Sequence, residues 1–229
     1  VPTSIVGTDP TTADNIADHR FDISRLGWTK AELSRLDVKL FGASLEDVDF
    51  KSISSAKGLA YITAYVENRA YQDAGIGPRQ RYDMDGYGLA IGVQEKRGYK
   101  ARPLDGIWAT PPFLHNGSVP NLFELLSPVY ERQSQFWVGN FEFDPVRVGY
   151  RSEAFTGGFL LDTRVTGNGN GGHEFRDGCR QEGVIGRALS PDERLALIEY
   201  LKVLGNSALE NQLSDVAVRP WTPGPSCEG

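Results

Sequence analysis

Two stretches of the chain carry apolar residues at helical spacing beside helix-start or helix-stop signals. Residues 56–71 carry an apolar stripe, and the glycines and proline at 75–78 end it. Further along, Ser190 and Glu193 form a capping box around Pro191, and an apolar stripe follows. These patterns predict two helices, the second of which ends near residue 205.

Shorter signals predict smaller elements. Thr29 and Glu32 match a second capping box, and the leucines that follow predict a short amphipathic helix. Ser118 is predicted to cap a helix through 122–126, with Pro120 in its first turn. Aromatic and β-branched residues over 136–159 favour a short hairpin or a covering flap. Residues 1–20 are expected to form an extended arm, and residues 79–98 a loop.

Composition narrows the class of protein. The chain has 229 residues, of which 40% are hydrophobic and 24% charged, as is usual for a globular domain. Its formal charge of −6 disfavours nucleic acid as a partner, because phosphate neutralisation needs a cationic surface. No apolar run is long enough for a membrane span. With 26 glycines and 13 prolines, we expect long ordered loops between few regular elements. Together with the predicted helices and hairpin, this gives an expected fold class that is mainly α with long ordered loops and a minor β-hairpin.

Several classes of active site are excluded by their missing motifs. The sequence has no Gly-x-Ser-x-Gly nucleophile elbow, no His-Glu-x-x-His helix and no Cys-x-x-Cys pair. A zinc cluster and a self-contained haem c attachment are therefore excluded. Cys179 and Cys227 are expected to form a disulfide if the protein is exported, and two unpaired thiols are the alternative.

Three histidines remain as candidates for chemistry. His19 lies in the polar arm and is expected to be a solvated surface residue, whereas His115 follows Pro-Pro-Phe and suits a buried structural role. His173 is carried by a glycine-rich loop over 166–175, whose small residues let an imidazole approach a flat cofactor. The alternative for this loop is calcium binding through Asn168, Asn170 and backbone oxygens.

Aromatic residues offer walls for an apolar cofactor pocket. Trp108 and Phe113 precede His115, and three more aromatic residues follow over 137–143. The alternative is that these side chains are ordinary core. The single methionine, Met84, is interpreted as a gap-filling residue, although thioether ligation to haem iron stays open.

Five segments together resemble a known family. They read RPLDGIWATPPFLHNGS at 102–118, EFDP at 142–145, GFLLDT at 158–163, GNGNGGHEF at 167–175 and ALIEYLK at 196–202. The first resembles the C-terminal haem-domain signature of dihaem c-type cytochromes of the bacterial cytochrome c peroxidase superfamily. The set is more similar to the branch that holds rubber oxygenase and the dihaem fatty-acid dioxygenases.

The resemblance implies a cytochrome c-like haem-domain portion over 56–206. Residues 1–55 would be an arm and short helices packed on a partner segment, and residues 207–229 a tail. His173 matches the histidine that completes the coordination of one haem. Family members attach two haems through Cys-x-x-Cys-His motifs, which this sequence lacks. We therefore expect a processed C-terminal portion that meets covalent haem c on an upstream or partner polypeptide.

The resemblance also implies how other residues contribute. His115 would bond a haem propionate or order the pocket. The further residues expected to line the cofactor are Trp108, Phe113, Asn116 and Phe175, and Trp108 is also a candidate for electron transfer. The axial methionine of the peroxidases is absent, because Val129 stands at that position.

The functional expectation is an iron-dependent oxidoreductase, either a dioxygenase acting on an apolar substrate or a peroxidase acting on peroxide. Such a protein would be active only with the haem-carrying polypeptide. Export to the periplasm or secretion is expected, because covalent haem is matured outside the cytoplasm. Two alternatives stay open, namely a haem-free binding or scaffold domain and a calcium-stabilised extracellular domain.

Overall fold

A computed structural model of the chain describes residues 1–36, 38–40, 48–85, 91–93, 97–101, 103–178 and 181–205, with 38–40 and 91–93 described by their backbone alone. The chain divides into two compact units. Unit 1 comprises Val1–Thr11 with Gly98–Gly229, and unit 2 comprises Thr12–Arg97. The first eleven residues therefore belong with the second half of the sequence.

The described helices are mostly short. They are α1 (Thr3–Val6), α2 (Thr11–Asp18), α3 (Lys30–Leu33), α4 (Ser55–Asp73), α5 (Pro78–Met84), α6 (Leu122–Leu125) and α7 (Pro191–Val203). Single 3-10 turns occur at Ser24–Leu26, Ile107–Ala109 and Val129–Glu131. Of the helices in the described ranges, only α4 and α7 exceed three turns, and the sequence predicts both. In α4 the predicted stripe is not the buried face, because Leu59 and Val66 are exposed.

The strands are shorter still. They are β1 (Arg20–Phe21), β2 (Val38–Leu40), β3 (Ile53–Ser54), β4 (Ile91–Val93), β5 (Gln135–Val138), β6 (Phe143–Asp144), β7 (Gly149–Tyr150), β8 (Phe159–Asp162), β9 (Glu174–Phe175) and β10 (Val184–Gly186). They form five two-stranded sheets: antiparallel β1–β3, β5–β8 and β6–β7, and parallel β2–β4 and β9–β10.

The prediction of a mainly α fold is wrong. Helices account for 38% of the structure, and small sheets occur among the described residues of both units. Glycines and prolines break the chain into short runs, so most backbone groups find partners in turns and in two-stranded ladders rather than in long helices.

Unit 1 is built around one apolar core. Helix α7 begins at the predicted capping box, in which Ser190 accepts a hydrogen bond from the backbone of Glu193 and the Glu193 carboxylate accepts one from the Ser190 backbone. Its inward face carries Ile198 and Leu201. These side chains pack with a cluster of other buried residues that comprises Phe113, Val119, Leu122, Leu126 and Val148.

Unit 2 is built around α4. Ser54 caps this helix by accepting a hydrogen bond from Lys57, and Tyr61 on the buried face joins the core. The other core residues of this unit are Ile23, Leu33, Val48 and Ile53. Gly58 lies against the ring of Phe21, so closely that an added Cβ would stand 2.2 Å from the Phe21 Cζ atom.

The structure differs from several of the local predictions and confirms another. Residues 1–20 are not simply extended, because they contain α1 and α2, and the expected loop at 79–98 contains α5 and β4. The capping box at Thr29 is confirmed, although α3 ends at Leu33. Ser118 does not cap α6, since Asn121 accepts the hydrogen bond from Glu124 instead.

Other expectations stay open. The predicted hairpin region is confirmed in outline by the antiparallel sheets β5–β8 and β6–β7. Cys179, Cys227 and the tail beyond residue 205 lie outside the described residues, and the predicted boundaries at 55 and 206 stay predictions. In the part of the chain that the structure describes, no helix has both the length and the apolar character that crossing a membrane requires.

The contact between Gly58 and Phe21 generates a stability prediction. Gly58→Ala should gain up to about 1 kcal/mol in helix propensity but lose about 1–3 kcal/mol through overpacking against the ring. We therefore expect a net loss in the free energy of unfolding, measured by urea denaturation. Gly77→Ala, at a position with nothing within 4 Å of its Cβ, is the matched control. A more stable Gly58→Ala would contradict this packing.

Candidate functional site

The glycine-rich segment forms a tight loop between β8 and β9. Its sequence allows this shape because glycine adopts positive φ without steric cost, and Gly167 and Gly172 have φ of +91° and +76°. His173 follows with φ of +50°, a conformation that residues with a Cβ adopt rarely. Because this backbone conformation is unfavourable for histidine, contacts with the surrounding structure must hold it in place.

A buried guanidinium holds one side of this loop. Arg132 is 6% exposed. Its Nη1 donates to the carbonyl oxygens of Asn170 and Gly172, the latter at 2.9 Å, and its Nη2 donates to that of His173 at 3.0 Å. The same side chain also donates to carbonyl oxygens at the end of α6 and just beyond it, those of Glu124, Leu125 and Ser127.

The chemistry of arginine explains this arrangement. Its planar fork offers five N–H donors in fixed directions, so one side chain can satisfy carbonyls from two segments. Burial lowers the pKa of Arg132 to about 10, although the nearby carboxylates of Glu174 and Glu124 act in the opposite direction. The group therefore stays charged at neutral pH. A buried charge is tolerated only where its hydrogen bonds are made, which ties the loop to α6.

The segment around His115 holds a second side of the loop. The Asn116 Nδ2 donates to the carbonyl oxygens of Gly167 and Gly169 at 3.1 and 2.9 Å. The Ser118 hydroxyl donates to the same Gly169 oxygen at 2.9 Å. Ser118 thus fastens the loop rather than capping a helix. The structure brings Asn116 and the His173 loop into one hydrogen-bonded network.

The amino-terminal segment holds a third side. The Asp9 Oδ2 accepts hydrogen bonds from the backbone N–H groups of Gly167 and Gly169, at 3.1 and 3.0 Å. Its Oδ1 accepts one from the N–H of Thr11 at 2.9 Å. Burial would raise the pKa of Asp9, but the hydrogen bonds from Thr11, Gly169 and Gly167 outweigh it and lower that pKa.

His173 itself is fixed at its backbone and open at its side chain. Its N–H donates to the Val6 carbonyl at 3.4 Å, and its own carbonyl accepts from Arg132. The residue is exposed, and none of the described residues forms a hydrogen bond with its ring. Neighbouring protein atoms partly exclude water from the imidazole and lower its pKa, and the charge of Arg132 lowers it further. Its ring nitrogen lone pair is therefore available at neutral pH.

His115 is held differently. Its ring stacks on that of Tyr99, with centroids 3.8 Å apart and planes inclined by 19°. The Tyr99 hydroxyl donates to the Asp9 carbonyl at 2.6 Å, which connects this stack to the same network. Neighbouring protein atoms partly exclude water from the His115 ring and lower its pKa, while the charge of Asp9 acts in the opposite direction. His115 is exposed and is not the buried core histidine that the sequence also allowed.

The other predicted residues lie outside this network. Phe113 is 4% exposed and packs in the core of unit 1, and Phe175 is half-buried against the same core. Trp108 is 43% exposed on a 3-10 turn. Asn168 Nδ2 donates to the Asp162 carbonyl and Asn170 Nδ2 donates to that of Gln133, and calcium binding through these residues stays a prediction.

Sequence reasoning missed Arg132 and Asp9. The only signal for Asp9 is its place before Pro10 and Thr11, which suggests a local turn and gives no hint of a contact 158 residues away. For Arg132, the sequence shows a basic residue soon after α6, where a cation can bind the last carbonyls of a helix. That signal predicts the contacts of Arg132 with the end of α6, but it does not predict those with the His173 loop.

Comparison with known proteins shows that part of this hydrogen-bonded network lies in a segment that matches a known family. A family model described as "RoxA-like, cytochrome c-like" matches residues 98–138, which contain His115, Asn116, Ser118 and Arg132. This part of the chain is related to cytochrome c-like proteins. The His173 loop lies outside the matched residues, but the hydrogen bonds of Asn116, Ser118 and Arg132 connect it to them.

Two proteins of Sinorhizobium fredii are similar to the chain. The uncharacterized protein y4iJ is 44% identical over 200 residues, which make up 87% of this chain and 30% of y4iJ. The uncharacterized protein y4iM is 44% identical over 70 residues, or 31% of this chain and 16% of y4iM. The chain thus spans less than a third of the length of either relative.

The contacts of Arg132 generate a second prediction. Arg132→Lys keeps the charge but cannot reach the carbonyls of both segments, so we expect the free energy of unfolding to fall by about 3 kcal/mol. Arg147→Lys is the control, because that exposed guanidinium contacts the Phe123 ring instead. Urea denaturation measures both. Equal losses in the two variants would show that the Arg132 contacts contribute little.

The lowered pKa of His173 generates a third prediction. The ring should titrate below 6.5 in the folded protein. The unfolded chain then binds the proton more readily, so the free energy of unfolding should fall as the pH drops from about 6.5 toward the folded pKa. NMR titration of the histidine side chains, assigned with His173→Gln, measures the midpoint. A midpoint at or above 6.5 would contradict the environment described here.

Proposed function

We propose that this chain is part of a cytochrome-related oxidoreductase and that His173 supplies an axial imidazole to haem iron. The observation that carries the proposal is the contrast between the backbone and the ring of His173. The backbone is bonded on both sides, to Val6 and to Arg132, while the exposed ring has no hydrogen-bond partner among the described residues. A ligand needs this combination of a fixed position and an available nitrogen.

The residues present fit haem better than a metal ion bound by protein alone. Within the described ranges, no cluster of three or more His, Cys, Asp or Glu side chains could hold an ion. An axial site on haem needs only one protein nitrogen, because the porphyrin supplies four ligands. One unpartnered imidazole on a loop of small residues meets that need.

The haem would be held covalently by another stretch of polypeptide. No Cys-x-x-Cys-His motif occurs in the 229 residues. The similarity to y4iJ over only 30% of that protein is compatible with a larger assembly, in which an upstream or partner segment carries the attachment. His173 would then reach the iron across the boundary between the two polypeptides or segments.

Other residues of the chain would orient the cofactor. The exposed His115 ring, which stacks on Tyr99, would donate a hydrogen bond to a propionate. Trp108 is accessible on its turn and can serve as a stepping residue for electrons or as a cover for the porphyrin edge. Phe113 and Phe175 would act indirectly, by keeping the core under these residues rigid.

Haem iron, when bound, supplies one-electron redox chemistry toward dioxygen or peroxide. The proposed reaction is therefore oxygenation of an apolar substrate or reduction of peroxide, performed by the complete assembly. The chain's own part is to ligate through His173, to orient through His115 and to shield the site from water. A periplasmic or secreted location is part of the proposal, because haem c is attached outside the cytoplasm.

The ligation proposal is tested with a haem c peptide that carries one axial histidine and an open sixth position. Titration with the full chain should convert its spectrum to the low-spin form of a bis-histidine haem. His173→Gln should abolish this change. His19→Gln removes another exposed imidazole, which lies in unit 2, and should leave the titration unchanged.

The same proposal predicts what accompanies the chain in its native assembly. Haem analysis and intact mass of copurifying material should reveal a polypeptide with covalent haem c. A haem-free assembly, together with equal titrations for His173→Gln and the unmodified chain, would favour the haem-free binding domain instead.

A further inference from the structure

We propose that Asp9 is a positioning residue for the His173 loop, so that the amino-terminal segment sets how tightly the chain binds haem iron. The inference rests on the proposed function of His173. It concerns a residue 164 positions away in sequence, in a segment that the sequence pattern predicts to be a mere extended arm.

The first support is the set of hydrogen bonds made by the Asp9 carboxylate. One oxygen accepts the N–H groups of Gly167 and Gly169, and the other accepts the N–H of Thr11. The loop amides point toward a common centre, as they do in anion-binding turns. Asp9 is a built-in anion for this turn, and it fixes the loop four residues before His173.

The second support is the close approach of the loop glycines to the amino-terminal segment. A Cβ at Gly169 would lie 2.8 Å from the Asp9 Oδ2, and a Cβ at Gly172 would lie 2.4 Å from the Val6 carbonyl oxygen. Both distances are too short for a real side chain. Gly172 is therefore required both by the amino-terminal backbone that lies against it and by its positive φ, and Gly169 leaves room for the Asp9 carboxylate.

The third support is that the segment is itself anchored. The Val1 nitrogen donates to the Tyr99 carbonyl at 2.7 Å, and the Tyr99 N–H donates to the Val1 carbonyl at 2.9 Å. The Tyr99 hydroxyl donates to the carbonyl of Asp9 itself. Tyr99 thus fixes both the start of the segment and the residue that contacts the loop, and its ring supports His115.

These contacts make Asp9 a determinant of preorganisation. A loop held in its binding conformation loses less entropy when its histidine meets iron than a loop that must be ordered at that moment. Residues that orient a ligating histidine commonly change metal affinity by about 10–100-fold. Asp9 would act on the loop backbone, whereas the usual partner of a ligating histidine bonds the ring directly.

The experiment compares Asp9→Asn with Asp83→Asn in the full chain. The asparagine cannot accept both glycine N–H groups with a carboxylate's strength, whereas Asp83 is an exposed carboxylate on α5 of unit 2. Titration of the haem c peptide should show about tenfold weaker binding for Asp9→Asn alone. Asp9→Glu keeps the charge and should restore part of the affinity.

A second measurement follows the loop without haem. Amide hydrogen exchange at Gly167 and Gly169 should become faster by about tenfold or more in Asp9→Asn. Exchange at Phe113, whose N–H donates to Val119 in the core, should stay unchanged. Faster exchange throughout unit 1, with a matching fall in melting temperature, would assign Asp9 a general structural role and overturn the inference.

The outcomes separate the two proposals. If His173→Gln does not weaken binding of the haem c peptide, the ligation proposal fails. If His173→Gln abolishes binding but Asp9→Asn binds as tightly as Asp83→Asn, ligation stands and the positioning role of Asp9 is wrong. Weaker binding with exchange changes confined to the loop supports both.

Discussion

The buried guanidinium of Arg132 is the constraint on which the rest of unit 1 depends. Its acceptors are carbonyl oxygens of two segments far apart in sequence, the end of α6 and the loop that carries His173. A charge removed from water is strongly unfavourable unless its donors are used. Neither segment can move away without leaving part of this group unsatisfied. The guanidinium therefore couples the folding of a four-residue helix to the shape of a half-buried loop.

The same hydrogen bonds connect the segment related to cytochrome c-like proteins with the His173 loop. The matched residues 98–138 contain no part of the His173 loop, yet they supply Asn116, Ser118 and Arg132 to it. Asp9 completes the set from the amino-terminal side. The loop of His173, the candidate haem ligand, is thus held by residues of the matched segment together with residues outside it.

The sequence predicted what is decided locally and missed what is decided by distant contacts. The helix at Ser190 follows from its capping box because all of its signals lie within one turn. Helix α4 was predicted from apolar spacing, but the face it buries is a different one: Leu59 and Val66 are exposed, and the buried positions are small residues and Tyr61. The fold class was wrong because two-residue strands carry no periodicity, and their pairing partners are set by tertiary packing. The glycines around His173 were enough to identify it as a candidate from the sequence. The residues that hold its loop could not be predicted, because they bind backbone carbonyl and N–H groups, and every residue type carries these groups.

The support of the His173 loop from three distant directions has a consequence for protein engineering. Residues 166–173 transplanted alone into another scaffold would lose the carboxylate, the amide and the guanidinium that bond their main chain. A graft designed to carry a haem-ligating histidine would also have to include Asp9, Asn116 and Arg132. Because these residues are far apart in sequence, the smallest segment that could be transplanted is most of unit 1.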